Sequence, residues 1–125
     1  MFLNYVVPYT LNHKTMETKT YNFEDRLVEF AGKVVLFCNT LPKDRIGLYY
    51  MDQMLRSSGS AALHYGEAQG TTTNRDFIHK ASNTLKELKE TRVSFKILAN
   101  VNYGDAKLRT FLLTEIEELC AICAK

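Results

Sequence analysis

Arg56, Glu67, Arg92 and Glu115 are acid–base-capable side chains, spaced so that they fall on or beside apolar helical stripes. A charge turned towards a protein interior has to find a partner, because an isolated ion in a low dielectric is strongly disfavoured. Two readings follow. One is an internal polar network that fixes helix register, made of Gln53, Arg56, Ser60, His64, Glu67, Arg92 and Glu115. The other is an acid–base site in a cleft. No nucleophile with an adjacent base and no glycine-rich phosphate loop accompanies these residues, so the network is the reading adopted. His64 and Glu67, at i and i+3, could supply two metal ligands, but no matching Glu-x-x-His stands on another helix. Cys120-x-x-Cys123 has the spacing of a redox or metal pair. It lies at the end of a helical pattern with no βαβ context and no second ligand pair, and with Cys38 it reads as buried or half-buried thiols. No metal and no cofactor are expected.

A second group carries a different chemistry. Arg75, Lys86, Lys89 and Lys96 share one side of the third helix, which holds six Lys and Arg against three Asp and Glu. Cations at helical spacing on one face can follow a phosphate backbone without reading bases. The same pattern also suits a solvated face of alternating charge. Tyr49, Tyr50, Tyr65 and Tyr103 could stack on bases but are not interleaved with this side.

Four amphipathic segments must position these groups. The first spans about 23–40, capped by Asn22, with Phe23, Leu27, Phe30, Val34 and Phe37 at three–four spacing. Pro42 ends it. The second runs from about 45 to 69, and its middle, Ser57 to Ala62, is a run of very small side chains. Such a run gives a thin helix that a neighbour can approach closely. The third, about 74–102 after Thr73, takes Phe77, Ala81, Leu85, Leu88, Phe95 and Ala99 as its core stripe. Gly104 suits a left-handed stop and Asp105 a cap for the fourth, 106–123, with Leu108, Phe111, Leu112, Leu119 and Ile122 inside. Short connections between four such helices predict an all-α, antiparallel up-down-up-down bundle over residues 21–125. Residues 1–20 show no clear period and read as a flexible leader or extension. Val28, Val35 and Leu36 lie off the first stripe, and Leu113 and Cys120 off the fourth. Apolar faces that one thin bundle cannot bury point to an interface with other copies.

Composition narrows the class. A chain of 125 residues with 46% hydrophobic content suits one globular domain. Two prolines and six glycines favour long helices over a turn-rich β fold. A net charge of +2 is far below that of a dedicated nucleic-acid binder. No apolar run approaches the roughly 20 residues of a membrane span. The opening stretch lacks the basic region and cleavage site of a signal peptide, so a cytoplasmic protein is expected.

The ordered set Gln53-x-x-Arg56-Ser57-x-x-Ser60, His64-Tyr65, Glu67-Ala68-Gln69, Asp76-Phe77-Ile78, Leu85-Lys86-Glu87 and Glu90-Thr91-Arg92, with the closing 112–121 segment, resembles the four helix bundle protein family. Its first members were found encoded in intervening sequences of bacterial large-subunit ribosomal RNA genes. The chain departs from many members at His64, where they carry Asn. The resemblance implies homopentameric barrels with a central channel. It also implies kinship with accessory proteins of diversity-generating retroelement reverse transcriptases. Those relatives bind RNA and DNA through basic surfaces, contact the enzyme, and are more basic than this chain. The expectation is therefore a non-enzymatic accessory protein. It binds nucleic acid in a sequence-tolerant, charge-driven way through a homo-oligomeric ring, with RNA or DNA and a reverse transcriptase or other nucleic-acid enzyme as partners. The alternative is a structural or protein-interaction scaffold that binds no nucleic acid.

Overall fold

A computed structural model describes residues 5–11 and 15–124. Its main body is four helices, α1 (Phe23–Cys38), α2 (Arg45–Gln69), α3 (Asn74–Asn100) and α4 (Ala106–Cys123). Each begins on a side chain that accepts from its own first turn: Asn22 from the Asp25 amide, Asp44 from Gly47, Thr73 from Asp76 and Asp105 from Leu108. These bonds satisfy amides that the helix itself leaves unpaired.

The helices are preceded by an antiparallel pair that the sequence pattern did not announce. β1 (Tyr5–Leu11) lies against β2 (Thr15–Tyr21), with Tyr5 opposite Tyr21 and Leu11 opposite Thr15. Of the leader expected over 1–20, residues 1–4 and 12–14 lie outside the described residues.

Around the bundle, α1 packs on α2 and α4, and α3 packs on α2 and α4. The start of α1 meets the end of α2, where the Phe23 and Tyr65 rings stand edge to face at 5.1 Å. The end of α1 meets the first half of α2, where Cys38 Sγ donates to the Met51 carbonyl at 3.9 Å. The core is continuous, from Phe23, Leu27, Phe30, Val34 and Phe37 on α1 to Leu88, Phe95, Leu112, Ile116 and Leu119. The expected α1 stripe is buried throughout.

The small-residue segment of α2 does bring a neighbour close. Ser57, Ser58 and Ala61 are buried, and the Ser57 and Thr91 hydroxyls share a hydrogen bond of 2.6 Å between α2 and α3. The core faces of the last two helices are turned relative to the sequence expectation. On α3 the buried positions are Thr84, Leu88, Thr91, Ser94, Phe95 and Leu98, while Phe77, Ala81, Leu85 and Ala99 are only half-buried. Thr84 and Thr91 can be buried because their hydroxyls donate to the carbonyls of Lys80 and Glu87 one turn back.

On α4 the buried face is Arg109, Leu112, Ile116, Leu119, Cys120 and Cys123, and Phe111 is half exposed. The cause is Arg109. Its guanidinium donates to the carbonyls of Tyr103 and Gly104 and to Asn102 Oδ1, which draws this first-turn residue inward. Three–four spacing then fixes the rest of the face. The turn it clasps is tight: Asn102 and Gly104 have positive φ, and a Cβ on Gly104 would stand 2.6 Å from the Phe37 ring. Cys120 thus belongs to the core and not to an exposed interface. Leu113 also packs partly against the core, while Val28, Val35 and Leu36 are exposed.

Candidate nucleic-acid interface

The six basic residues of α3 divide by their partners. Lys80 points into the α2–α3 seam and donates to Glu67 at 2.9 Å. Arg92 lies at the α3–α4 seam and bonds Glu117 at 3.1 Å. Arg75, Lys86, Lys89 and Lys96 are all exposed, and none makes an ion pair among the described residues. At a helical rise of about 1.5 Å per residue, Arg75 and Lys96 are roughly 30 Å apart along one outward stripe. The acidic residues Glu87 and Glu90 do not neutralise this stripe, because both are bound by Arg56 at 3.4 and 2.8 Å. No Phe, Tyr or Trp stands on the stripe between Arg75 and Lys96 other than the inward Phe77 and Phe95.

The polar residues expected to form one internal network are instead distributed along three seams. Between α2 and α3, Arg56 reaches Gln53, Glu87 and Glu90, and Glu67 reaches Lys80. His64 sits between two carboxylates, with Nδ1 3.7 Å from Glu67 and Nε2 4.0 Å from Glu87. Ser60 is half-buried beside them and joins none of these ion pairs. Glu115 belongs to the α1–α4 seam, where Arg26 grips it through two bonds of 2.8 and 2.9 Å and also holds Glu118.

Arg56 and Glu67 were expected to be buried. Their side chains are 51% and 57% exposed. The apolar stripe of α2 fixes which side faces the core, and the width of the helix puts these two at its edge. The hydrogen bond that Arg56 donates to Glu90 raises the guanidinium pKa, and the one that Glu67 accepts from Lys80 lowers its carboxyl.

Burial pushes the Cys38 and Cys123 thiols up to about 11 and raises Cys120 as well, so the Cys120-x-x-Cys123 pair holds neutral thiols and not an activated thiolate. Among the described residues no group of three His, Cys, Asp or Glu is placed to hold a metal ion. No helix is long and apolar enough to cross a membrane. The sequence pattern missed one cleft, of about 840 Å³, between the end of α2, the start of α3 and the end of α4. Tyr65, Ala68, Phe77, Ala81, Leu85 and Cys123 line it.

A four-helix bundle with paired charges in its seams and an unpaired basic stripe on one helix is thus the class defined by fold and surface. The chain belongs to the 23S rRNA-intervening sequence protein family, whose model matches residues 19–125. It is also similar to a crystal structure of a protein of unknown function from the S23 ribosomal protein family of Bacteroides thetaiotaomicron. That protein is 25% identical with a TM-score of 0.74, and the match covers 81% of this chain and 94% of the other. No curated protein matches the chain.

Proposed function

We propose that the protein is a cytoplasmic, non-enzymatic accessory factor that binds RNA or DNA by charge and without sequence preference. In this reading the helices run up-down-up-down, and copies assemble as a cyclic ring, a homopentamer. A reverse transcriptase or another nucleic-acid enzyme is its protein partner. The observation that carries the proposal is the division of α3: the cations at the seams are spent on carboxylates, and the four on the outward stripe are not. Lysines without carboxylate partners keep their full charge for phosphates, and neutralising phosphates releases counterions. One subunit offers few contacts. A ring repeats them, and linked weak sites raise apparent affinity by about 10²–10⁴ when one ligand spans them.

Fluorescence anisotropy with RNA and duplex DNA of increasing length tests this. Affinity is expected to climb with length until the ligand spans neighbouring subunits. Binding that is absent at low salt, or flat with length, rejects the proposal. The rival reading, a protein-interaction scaffold, is favoured by the exposed Val28, Val35 and Leu36. It predicts the same assembly with no affinity for nucleic acid.

A further inference from the structure

The cleft of about 840 Å³ at one end of the bundle follows from where the helices stop. Cys123, the last residue of α4, donates to the Ala81 carbonyl at 3.6 Å. α3 begins at Asn74, so roughly its first two turns run past the end of α4. Phe77 and Ala81 carry the apolar stripe of α3 and are left half-buried there. The Phe77 and Tyr65 rings both line the cleft and meet edge to face, with centroids 6.5 Å apart. Exposed amides and hydroxyls, those of Gln69, Thr72, Asn74 and Ser82, stand around this apolar floor. None of the described residues that line the cleft is charged. A charged group entering it would lose hydration with no counter-ion in return, so the part of a ligand that enters is neutral. A flat body with hydrogen-bonding edges suits this lining, its faces against the rings and its edges on the amides and hydroxyls.

The margin is the opposite of the interior. Arg75 stands one turn from Ile78, Lys86 one turn from Ser82 and Lys89 one turn from Leu85, and those three neighbours line the cleft. All three cations are exposed and belong to the unpaired stripe of α3. Lys89 also lies close enough to Cys120 to act on its thiol, which puts it beside the last turn of α4. Glu117, near the same thiol, is already held by Arg92. Glu24 approaches Tyr65 from α1 and does not line the cleft. A neutral interior with cations at its edge matches a nucleotide, a neutral base joined to an anionic phosphate.

The geometry points to this cleft as a pocket for an unpaired base of single-stranded RNA or DNA, with the flanking phosphates on Arg75, Lys86 and Lys89. The inference rests on the nucleic-acid reading above and specifies the form of nucleic acid. In a duplex the bases are stacked and paired, and neither their faces nor their pairing edges are free to enter. Phosphate charge is denser on a duplex, so charge alone favours the duplex and the cleft reverses that order.

Fluorescence anisotropy at fixed salt tests it with three probes of equal length: an oligothymidine strand, a strand of abasic sites and a DNA duplex. The parent is expected to bind the thymidine strand about tenfold tighter than the abasic one, the scale of a stacked base, and tighter than the duplex. Ala81→Leu fills the cleft with another good helix former. It should bring the thymidine strand to the level of the abasic one and leave duplex binding unchanged. Thymidine monophosphate at micromolar concentration should not displace the strand. Displacement would assign the cleft to free nucleotides and overturn the single-strand assignment. A parent that binds none of the three probes overturns the nucleic-acid reading and this inference with it. A parent that binds the thymidine and abasic strands alike, or prefers the duplex, overturns this inference alone, as does an Ala81→Leu protein that keeps the parent's preference. Circular dichroism checks the helices, and should Ala81→Leu lose them, the parent's ratio of thymidine to abasic binding decides.

Discussion

Arg109 and Lys89 are both cations on helices of one bundle, and they are treated in opposite ways. Arg109 is 7% exposed and spends its guanidinium on three oxygens of the turn between α3 and α4. Lys89 is exposed and has no ion-pair partner among the described residues. Between these extremes lie the seam pairs, Arg26 with Glu115 and Arg56 with Glu90. Residue type does not separate the three groups; partner and burial do. A cation enclosed by acceptors holds the fold, and a cation left unpaired in a row is available to something outside it.

If that gradient is right, substitutions should fall in a fixed order of cost. Arg109→Ala comes first. It leaves the Tyr103 and Gly104 carbonyls without their donor and should destabilise by about 2–4 kcal/mol in urea unfolding. Arg26→Ala removes a two-pronged, half-buried grip on Glu115 and should cost about 1–2 kcal/mol by the same measurement. Arg56→Ala should cost less than Arg26→Ala, because its partners are shared with solvent. An Arg56 variant as damaging as Arg109→Ala would show that the α2–α3 seam is drier than its exposure indicates. The substitutions Lys86→Gln, Lys89→Gln and Lys96→Gln together should leave the unfolding curve where it was.

Acid sharpens the same comparison. The Asp44 carboxyl is held low, first by the Gly47 amide and then by the Tyr103 hydroxyl, and Glu67 is held low by Lys80. Both values are lowered on folding. Their stabilising contribution is therefore complete above the ordinary carboxylate range, about pH 4, and disappears as pH falls through the lower folded values. Thermal melts should be flat from neutral pH to about 5 and decline below it. A Glu67→Gln variant should decline less steeply than the parent.

The ends of the helices and the face of α1 were legible because local chemistry fixes them. Asn22, Thr73 and Asp105 cap as their types suggest, and Phe23 to Phe37 leave only one face to bury. The faces of α3 and α4 were not legible. Thr84 and Thr91 look like surface residues until their hydroxyls bond within the protein, and Arg109 looks like one until the turn it clasps is seen. A helical wheel places Arg56 and Glu67 beside an apolar stripe but cannot say how wide the neighbouring helix will be. β2 alternates with too little apolar contrast, Met16, Thr18 and Thr20 against Glu17 and Lys19, to announce a strand. The outward row on α3 was legible as four residues on one side. That they alone of its cations lack carboxylate partners was visible only once Glu67 and Glu117 had been placed.

The most direct test of the central claim is the salt dependence of nucleic-acid binding in the parent and in the triple Lys86→Gln, Lys89→Gln, Lys96→Gln variant. Each lysine that neutralises a phosphate contributes about 0.9 to the slope of log affinity against log salt on duplex DNA. The parent should show a steep negative slope and the variant one shallower by about 2–3, with helix content unchanged. Equal slopes for the two proteins, or no binding by the parent at low salt, would contradict it.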